Sequence, residues 1–573
     1  MACSRGDAIL ALDFYYNQKR TMPLILRCLF LVPLLAACTD SSDNPPQAQP
    51  DFPFLSYVAE PQPRGGTCND SIDVNAPLIV NGFGFNHANS RNQPSLMNAE
   101  NIHEVALNFR FAPADADEKR GAPAVTAQAI FLSSGRQLIA INRLSGCTYW
   151  SFTTPREGSL LRSASILFVP ATQQAPATIY TADRNGFVYA IDARNGEPLW
   201  QTFTGSVTFY HFVTGGMQYH AGKLFVPVAS KEVLATVVNP IACCISHGML
   251  VALDAATGET LWEYHTTADA TQTILPGERV GPNGASVWGT PTVDVARNAL
   301  YIGTGQNYTE PVTPTSDAII SLAMDSGEVN WIFQARDDDA WNGNCTLPNS
   351  LRCAEPPGYD FDFGAAPILL PDGETLIAGD KGGMVYSLNA DSGALNWSTR
   401  VSKGSTLGGI HWGMAVDDRR VYVAATDFSI EKATGGLADL VEGARPGIYA
   451  LNLQSGAIEW QIRPTHQFAG LTTPSLYSAS LTVSNDLLLA GSLDGVVRAF
   501  HTMDGSELWS FDTTPDFTDI NGNPGNGGTI DSVGVVVAGD SLLINSGYST
   551  FQGVDGRYQA GAGNALYVLR LPR

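Results

Sequence analysis

Apolar residues alternate with polar ones in seven short runs, and each run ends in a glycine turn followed four places later by tryptophan. The runs are LIAINRLSGCTYW (138–150), VYAIDARNGEPLW (188–200), LVALDAATGETLW (250–262), IISLAMDSGEVNW (319–331), VYSLNADSGALNW (385–397), IYALNLQSGAIEW (448–460) and VRAFHTMDGSELW (497–509). Alternation at period two predicts a strand with one buried face. A small polar residue before glycine predicts a tight turn whose glycine takes a positive φ. Each run is therefore two antiparallel strands of a repeating unit.

A tryptophan ring can bury roughly 150–250 Å², more than a lone four-stranded sheet covers. Neighbouring copies must stack, and closing them into a circle also removes free sheet edges. The count points to an all-β, eight-bladed β-propeller. After the seven motifs comes LYVLRLPR (566–573), a matching strand with no turn behind it, and Val105–Phe111 alternates as the missing outer strand should. Pairing first with last closes the ring, whereas a seven-bladed ring would leave the C-terminal strand as an open edge. Successive motif glycines lie 50, 62, 69, 66, 63 and 49 residues apart, so the middle repeats carry insertions. Insertions gathered on one face of a rigid ring are where function concentrates. They hold Cys243, Cys244, Trp288, Gln306, Asn307, Asp337, Asp338, Asp339 and Trp341.

The net charge of −22 excludes nucleic acid as a partner, since phosphate recognition needs clustered Lys and Arg. Residues 1–38 read as a processing segment: Lys19, Arg20 and Arg27 precede a short apolar run ending Leu35-Ala36-Ala37-Cys38. That ending resembles the lipobox of bacterial lipoproteins, so Cys38 is the expected lipidation site; an ordinary signal peptide is the alternative, and Met22 an alternative start. Thr39 after the cysteine favours the outer membrane over inner-membrane retention, so the expected location is the periplasm, held by lipid alone. Residues 39–76 read as a tether and N-terminal extension, and 77–573 as the propeller. Six cysteines remain after processing, an even number that suits an exported protein with disulfides. Cys345–Cys353 would close a short loop and Cys68–Cys147 would tie the extension to the first repeat.

The tryptophan repeat resembles that of the pyrroloquinoline quinone (PQQ) dependent quinoprotein alcohol dehydrogenases, most closely the polyvinyl alcohol dehydrogenase branch. The stretches that carry the resemblance are NPIACCISHGMLVALDAATGE (239–259), GPNGASVWGTPTVDVARNALYIGTGQNY (281–308), DDDAWNGNC (337–345), DFDFGAAPILL (360–370), AGDKGGMVYSLNADSG (378–393), GGIHWGMA (408–415) and INSGYSTF (544–551). It implies a quinone lying flat over the ring axis and oxidising an alcohol or polyol. Cys243–Cys244 would form a vicinal disulfide against one face of the cofactor, separate thiols or other pairings being the alternative. Trp288 would stack on the other face, or simply pack between blades. Lys381 would hydrogen-bond the quinone oxygens, or be an exposed turn lysine. Gln306, with Asn307, stands where relatives place an asparagine ligand for Ca²⁺. His411 and Trp412 fall near the axis, Trp412 as a further cofactor contact and His411 as either a polar contact or a core histidine.

The sequence also departs from that pattern. Trp341 is followed by Asn342 where the resemblance expects the aspartate that acts as base, and an amide cannot take a proton. Asp339, Asp338 or Glu232 would have to substitute, although an acidic run such as 337–339 is often a solvated loop. With the usual glutamate ligand falling at Cys243, a calcium cage is absent or rebuilt. No Cys-x-x-Cys-His occurs, so no covalent haem is expected and electrons would pass to a separate cytochrome c. The competing reading is a propeller lipoprotein without catalysis, acting as a binding or outer-membrane assembly scaffold.

Overall fold

The structure is a computed structural model that describes residues 65–113, 121–173, 175–205, 210–233, 244–270, 281–346, 353–429, 439–548 and 556–572. Tyr57–Arg573 is one compact unit. Its strands form the eight blades that the repeat predicts, each an antiparallel sheet built outward from the axis. Blade 1 runs from Ala124–Thr126 to Thr148–Thr153, blade 2 from Leu167–Val169 to Pro198–Phe203, and blade 3 from Gln218–His220 to Thr260–His265. Blade 4 runs from Thr292–Asp294 to Val329–Gln334, and blade 5 from Ile368–Leu369 to Leu395–Arg400. Blade 6 runs from Ala415–Val416 to Ile458–Ile462, and blade 7 from Thr482–Ser484 to Glu507–Asp512. Blade 8 takes three strands from the C-terminal end, Val535–Ala538, Ser541–Ser546 and Ala565–Arg570. Its fourth, outer strand is Ala106–Phe111, paired antiparallel with Ala565–Arg570. The ring is therefore closed by joining the two ends of the propeller, as the unpaired C-terminal strand requires.

What holds one blade to the next is the tryptophan of the repeat. Trp150 donates its indole N–H to Ala193 O at 3.0 Å, Trp200 to Ala255 O at 3.1 Å and Trp262 to Met324 O at 3.2 Å. Trp331, Trp397 and Trp460 do the same to Ala390, Leu453 and Thr502, at 3.0, 3.0 and 3.1 Å. Each acceptor lies three residues before the turn glycine of the following blade. That glycine supplies two things at once. Its φ is positive (Gly327, +73°), and its bare backbone lets the ring lie against it: a Cβ on Gly327 would stand 2.6 Å from Trp262 Cε3.

The seam between blades 8 and 1 is the exception, because blade 8 has no turn glycine and its outer strand has no tryptophan. There the fully buried Phe109 takes the place of the indole, and a Cβ on Gly146 would meet its Cδ2 at 3.2 Å. At the other side of blade 8, Trp509 has no following glycine turn to dock on. Its indole N–H is buried without a hydrogen-bond partner among the described residues, and the ring stacks on Phe511 instead, with centroids 6.1 Å apart.

Residues 81–96 thread across one end of the ring and bond to the inner strands of seven blades. Asn81 exchanges bonds with the Phe168 backbone of blade 2, and Gln218 of blade 3 donates to Asn89 Oδ1 at 3.1 Å. Val293, Leu369, Val416 and Val483 donate their N–H groups to the carbonyls of His87, Ala88, Ser90 and Arg91, and Leu96 N–H reaches Gly539 O in blade 8. Arg91 is entirely buried in this plug. Its guanidinium donates to the carbonyls of Phe83, Leu481 and Val533 and packs 4.5 Å from the Phe85 ring centroid. Burial alone brings its pKa down to about 9.

Both expected disulfides between described cysteines are present, Cys68–Cys147 and Cys345–Cys353. The first is backed by backbone pairing, Cys68 N–H to Thr148 O at 3.0 Å, so Gly65–Cys68 lies along the outer strand of blade 1 instead of belonging to a free tether.

Gly327→Ala combines a strained φ with a clash on Trp262 and should lower stability by on the order of 2–3 kcal/mol in chemical denaturation. Trp262→Phe should cost more than Trp509→Phe by about one hydrogen bond, ~1 kcal/mol, because only Trp262 has an acceptor to lose. Equal losses for the two tryptophans would contradict the docking role of the indole N–H.

Candidate functional site

The inner strands all start from the face opposite the plug, and the residues just ahead of them surround the axis there. Trp288 precedes the inner strand of blade 4, Asp362 and Gly364 that of blade 5, and His411 and Trp412 that of blade 6. Trp288 meets both blade 6 rings edge to face, His411 at 5.5 Å and 66° and Trp412 at 5.2 Å and 81°. Blade 4 thus touches blade 6 past blade 5, which is possible only at the axis. His411 Nδ1 pairs with Ser478 Oγ of blade 7 at 2.6 Å, and Phe83 of the plug lies 6.5 Å beneath Trp412.

Trp288 is half-buried, and the backbone of blade 5 fixes its plane. A Cβ on Gly364 would stand 1.8 Å from its Cη2, so only glycine fits there. Its indole N–H donates to Asp362 Oδ2 at 3.2 Å. Lys381 Nζ stands 5.9 Å from the ring centroid, with Asp360 Oδ1 at 2.6 Å and Asp362 Oδ2 at 3.1 Å. Burial opposes the charge on Lys381, but the two carboxylates outweigh it and raise its pKa, which favours the ammonium. Gln306 closes the group: its N–H reaches Asp362 Oδ1 at 3.3 Å and its Nε2 reaches Asp360 Oδ1 at 3.3 Å, leaving Oε1 buried with no partner among the described residues.

The expected residues therefore divide. Trp288, Gln306, Lys381, His411 and Trp412 come together at the axis, with Trp412 buried as a support and Trp288 as the ring open to the hollow. Cys243, and with it the Cys243–Cys244 bond, lies outside the described residues. Cys244 is buried, disulfide-bonded and packed on Tyr308, two residues from Gln306. Glu232 does not face the hollow as a base. Its Oε2 accepts bonds from Ile245 N, Ser246 N and Ser246 Oγ at 2.9, 2.6 and 2.6 Å, clamping the chain that follows Cys244.

Asn307 is engaged with Asn283 O and both polar groups of Thr313, and Asn342 with Tyr308 O and the amides of Asn344. Asp339 holds Tyr359 N–H on Oδ1 at 2.6 Å, steadying the segment that carries Asp360 and Asp362. Asp338 is an exposed loop residue.

The carboxylates that meet Lys381 beside Trp288 are Asp360 and Asp362, which the motifs above leave without a role. Their signal is the alternation in Tyr359-Asp360-Phe361-Asp362, which puts both acids on one side of an extended segment ahead of Gly364.

Among the described residues there is no group of three or more His, Cys, Asp or Glu side chains that could hold a metal ion. Asp360 and Asp362 both bond the Lys381 ammonium, and Gln306 Oε1 is a single neutral donor. These residues do not build a calcium cage. They do fit a flat quinone, with a half-buried indole for its plane and, beside that indole, an ammonium with one N–H left for a quinone oxygen.

Two family profiles match the chain. The profile for the β-propeller domain of glucose, ethanol and alcohol dehydrogenases (PQQ) covers residues 86–395, and that of outer membrane protein assembly factor BamB covers 382–549. A polyvinylalcohol dehydrogenase of Pseudomonas sp is 33% identical over 83% of this chain and 74% of its own length. That of Sphingopyxis sp. (strain 113P3) is 32% identical over 85% and 75%. The chain belongs to the PQQ-dependent alcohol dehydrogenase family. Within that family the propeller is the shared part: a europium-containing methanol dehydrogenase superposes with a TM-score of 0.62 at 16% identity, covering 86% of this chain and 98% of its own.

Burial pushes the Asp339 carboxyl up to about 6 from 3.8, and the neighbouring Asp317 well above its ordinary value. The folded state then binds the Asp339 proton more tightly than the unfolded chain does. Stability should fall as pH rises from about 4 to about 6, by on the order of 2 kcal/mol from this group. Asp339→Asn should remove that part of the fall in urea melts at pH 4.5 and 7. An unchanged pH slope would show that Asp339 does not titrate in this window.

Proposed function

We propose that this quinoprotein dehydrogenase oxidises secondary alcohols of a polyol such as polyvinyl alcohol, outside the cytoplasm, and passes the electrons to a separate cytochrome c. The observation that carries the reading is the half-buried Trp288 plane, laid along Gly364 and edged by the Lys381–Asp362 pair. PQQ, when bound, supplies a two-electron acceptor for the hydride of the carbinol carbon. Trp288 would hold its plane, Lys381 would give its remaining N–H to an oxygen at its rim, and Phe83 of the plug backs Trp412, which Trp288 meets edge to face.

Asp362 takes the hydroxyl proton of the substrate, acting as the base sought at position 342. A base must lie within hydrogen-bond reach of the proton it removes, and Asp362 is the carboxylate bonded to both the Trp288 indole and Lys381. Its bond to the Lys381 ammonium keeps it oriented. The names of the relatives support a polyol substrate. The two disulfides and the lipobox-like segment support an exported protein anchored at Cys38.

Protein incubated with PQQ should reduce an artificial acceptor dye on addition of polyvinyl alcohol, with or without added Ca²⁺. Asp362→Asn should lower kcat by about 10²–10⁴ while the PQQ-induced rise in Tm is kept. No dye reduction together with no rise in Tm would overturn the reading, and recovery of β-barrel assembly partners in a pull-down would favour the scaffold. Cys38→Ala should move the protein from the membrane to the soluble fraction; membrane retention of that variant would contradict the anchor.

A further inference from the structure

Thirteen large apolar side chains among the described residues are conspicuously exposed, and Tyr359 is the one aromatic in that group, 60% exposed. An aromatic left in water next to a binding site calls for a reason, since its burial would be favourable. Tyr359 is also rigid. Its ring stacks on Phe361 at 4.9 Å and 13°, and the Arg336 guanidinium lies 4.8 Å from the Phe361 centroid. Arg336 is itself tied to Asp380 at 2.9 Å. The backbone is pinned from below, Tyr359 N–H to Asp339 Oδ1 at 2.6 Å and Gly358 N–H to Ala340 O at 2.9 Å. Asp339, Arg336 and Asp380 together hold an aromatic pedestal in place.

The pedestal and the reactive carboxylate share one extended segment. Tyr359 and Phe361 stack with each other, while the intervening Asp360 and the following Asp362 both bond Lys381. Three residues of chain span at most about 11 Å, so the Tyr359 Cα lies within that distance of the Asp362 Cα. The two rings lie on the side of the segment opposite the two carboxylates, so a two- or three-carbon alcohol whose hydroxyl sits at Asp362 stays on the carboxylate side. A chain of repeated carbinol units is long enough to cross the segment, and its methylene and methine hydrogens suit an aromatic face while its hydroxyls stay in water.

We propose that Tyr359, supported by Phe361, is a platform for the hydrocarbon backbone of a long-chain polyol, and so a specificity-determining residue for polymer over small alcohol. The inference rests on the alcohol-oxidising reading above and adds the length of the substrate to it.

Two measurements on the full chain loaded with PQQ test it. Steady-state kinetics compare polyvinyl alcohol with 2-butanol for the wild type, Tyr359→Ala and Tyr359→Phe. Tyr359→Ala should raise the KM for polymer with little change in its kcat. The ratio of kcat/KM for polymer to that for 2-butanol should fall about fivefold to tenfold, and Tyr359→Phe should restore it because the ring and not the hydroxyl makes the contact. Calorimetric titration of the polymer, without acceptor dye, should show the same weakening in Kd.

An unchanged ratio, or an equal loss on both substrates, would overturn the platform. So would polymer binding that is absent in the wild type or as tight in Tyr359→Ala. Should the wild type bind polymer through Tyr359 yet turn over no alcohol, the platform would stand and the dehydrogenase reading would fall.

Discussion

Everything in this molecule hangs on an indole laid against a bare glycine backbone. Six times around the ring, a tryptophan on the outer strand of one blade covers the turn glycine of the next and gives its N–H to the carbonyl three residues earlier. The contact combines a large apolar area with a directed hydrogen bond, so it fixes both the distance and the rotation between blades. A ring built from such joints has little freedom in the positions of its inner strands, and the residues that enter those strands inherit that rigidity. The hollow at the axis is therefore a consequence of a contact made at the periphery.

The two ends of the axis are treated differently. One is filled by residues 81–96, whose carbonyls satisfy inner-strand N–H groups that would otherwise face an empty channel. Arg91 anchors this plug through carbonyl partners, and its lowered pKa measures how completely it is removed from water. At the other end Trp288 is half-buried, and Phe83 of the plug packs on the Trp412 ring that Trp288 meets edge to face.

Much of this was legible in the chain, for reasons that differ by part. The blades were legible because alternation, turn glycine and tryptophan repeat at fixed spacing, and the eighth blade because a strand without a turn needs a partner. The plug was not, since residues 81–96 are irregular and are held by backbone hydrogen bonds and one buried arginine, none of which leaves a periodic trace. Trp288, Gln306 and Lys381 were found by resemblance and do converge. Asn342 and Asp339 stand beside Trp341 in an acidic run, and only the fold shows that Asn342 braces Tyr308 and Asp339 braces Tyr359. Asp362 was overlooked because its importance comes from Lys381 and Gly364, which meet it only after folding. Lys381 ties up the carboxylates that might otherwise hold a metal, and that too is a property of three dimensions.

The central claim is that the Trp288 plane is the seat of a quinone. Its most direct test is a fluorescence titration of the apoprotein with PQQ, comparing the wild type with Trp288→Ala and Trp288→Phe at equal Tm. Saturable quenching at one equivalent, lost in the alanine variant and largely kept with phenylalanine, is the predicted result. Identical binding curves for all three proteins would contradict the account.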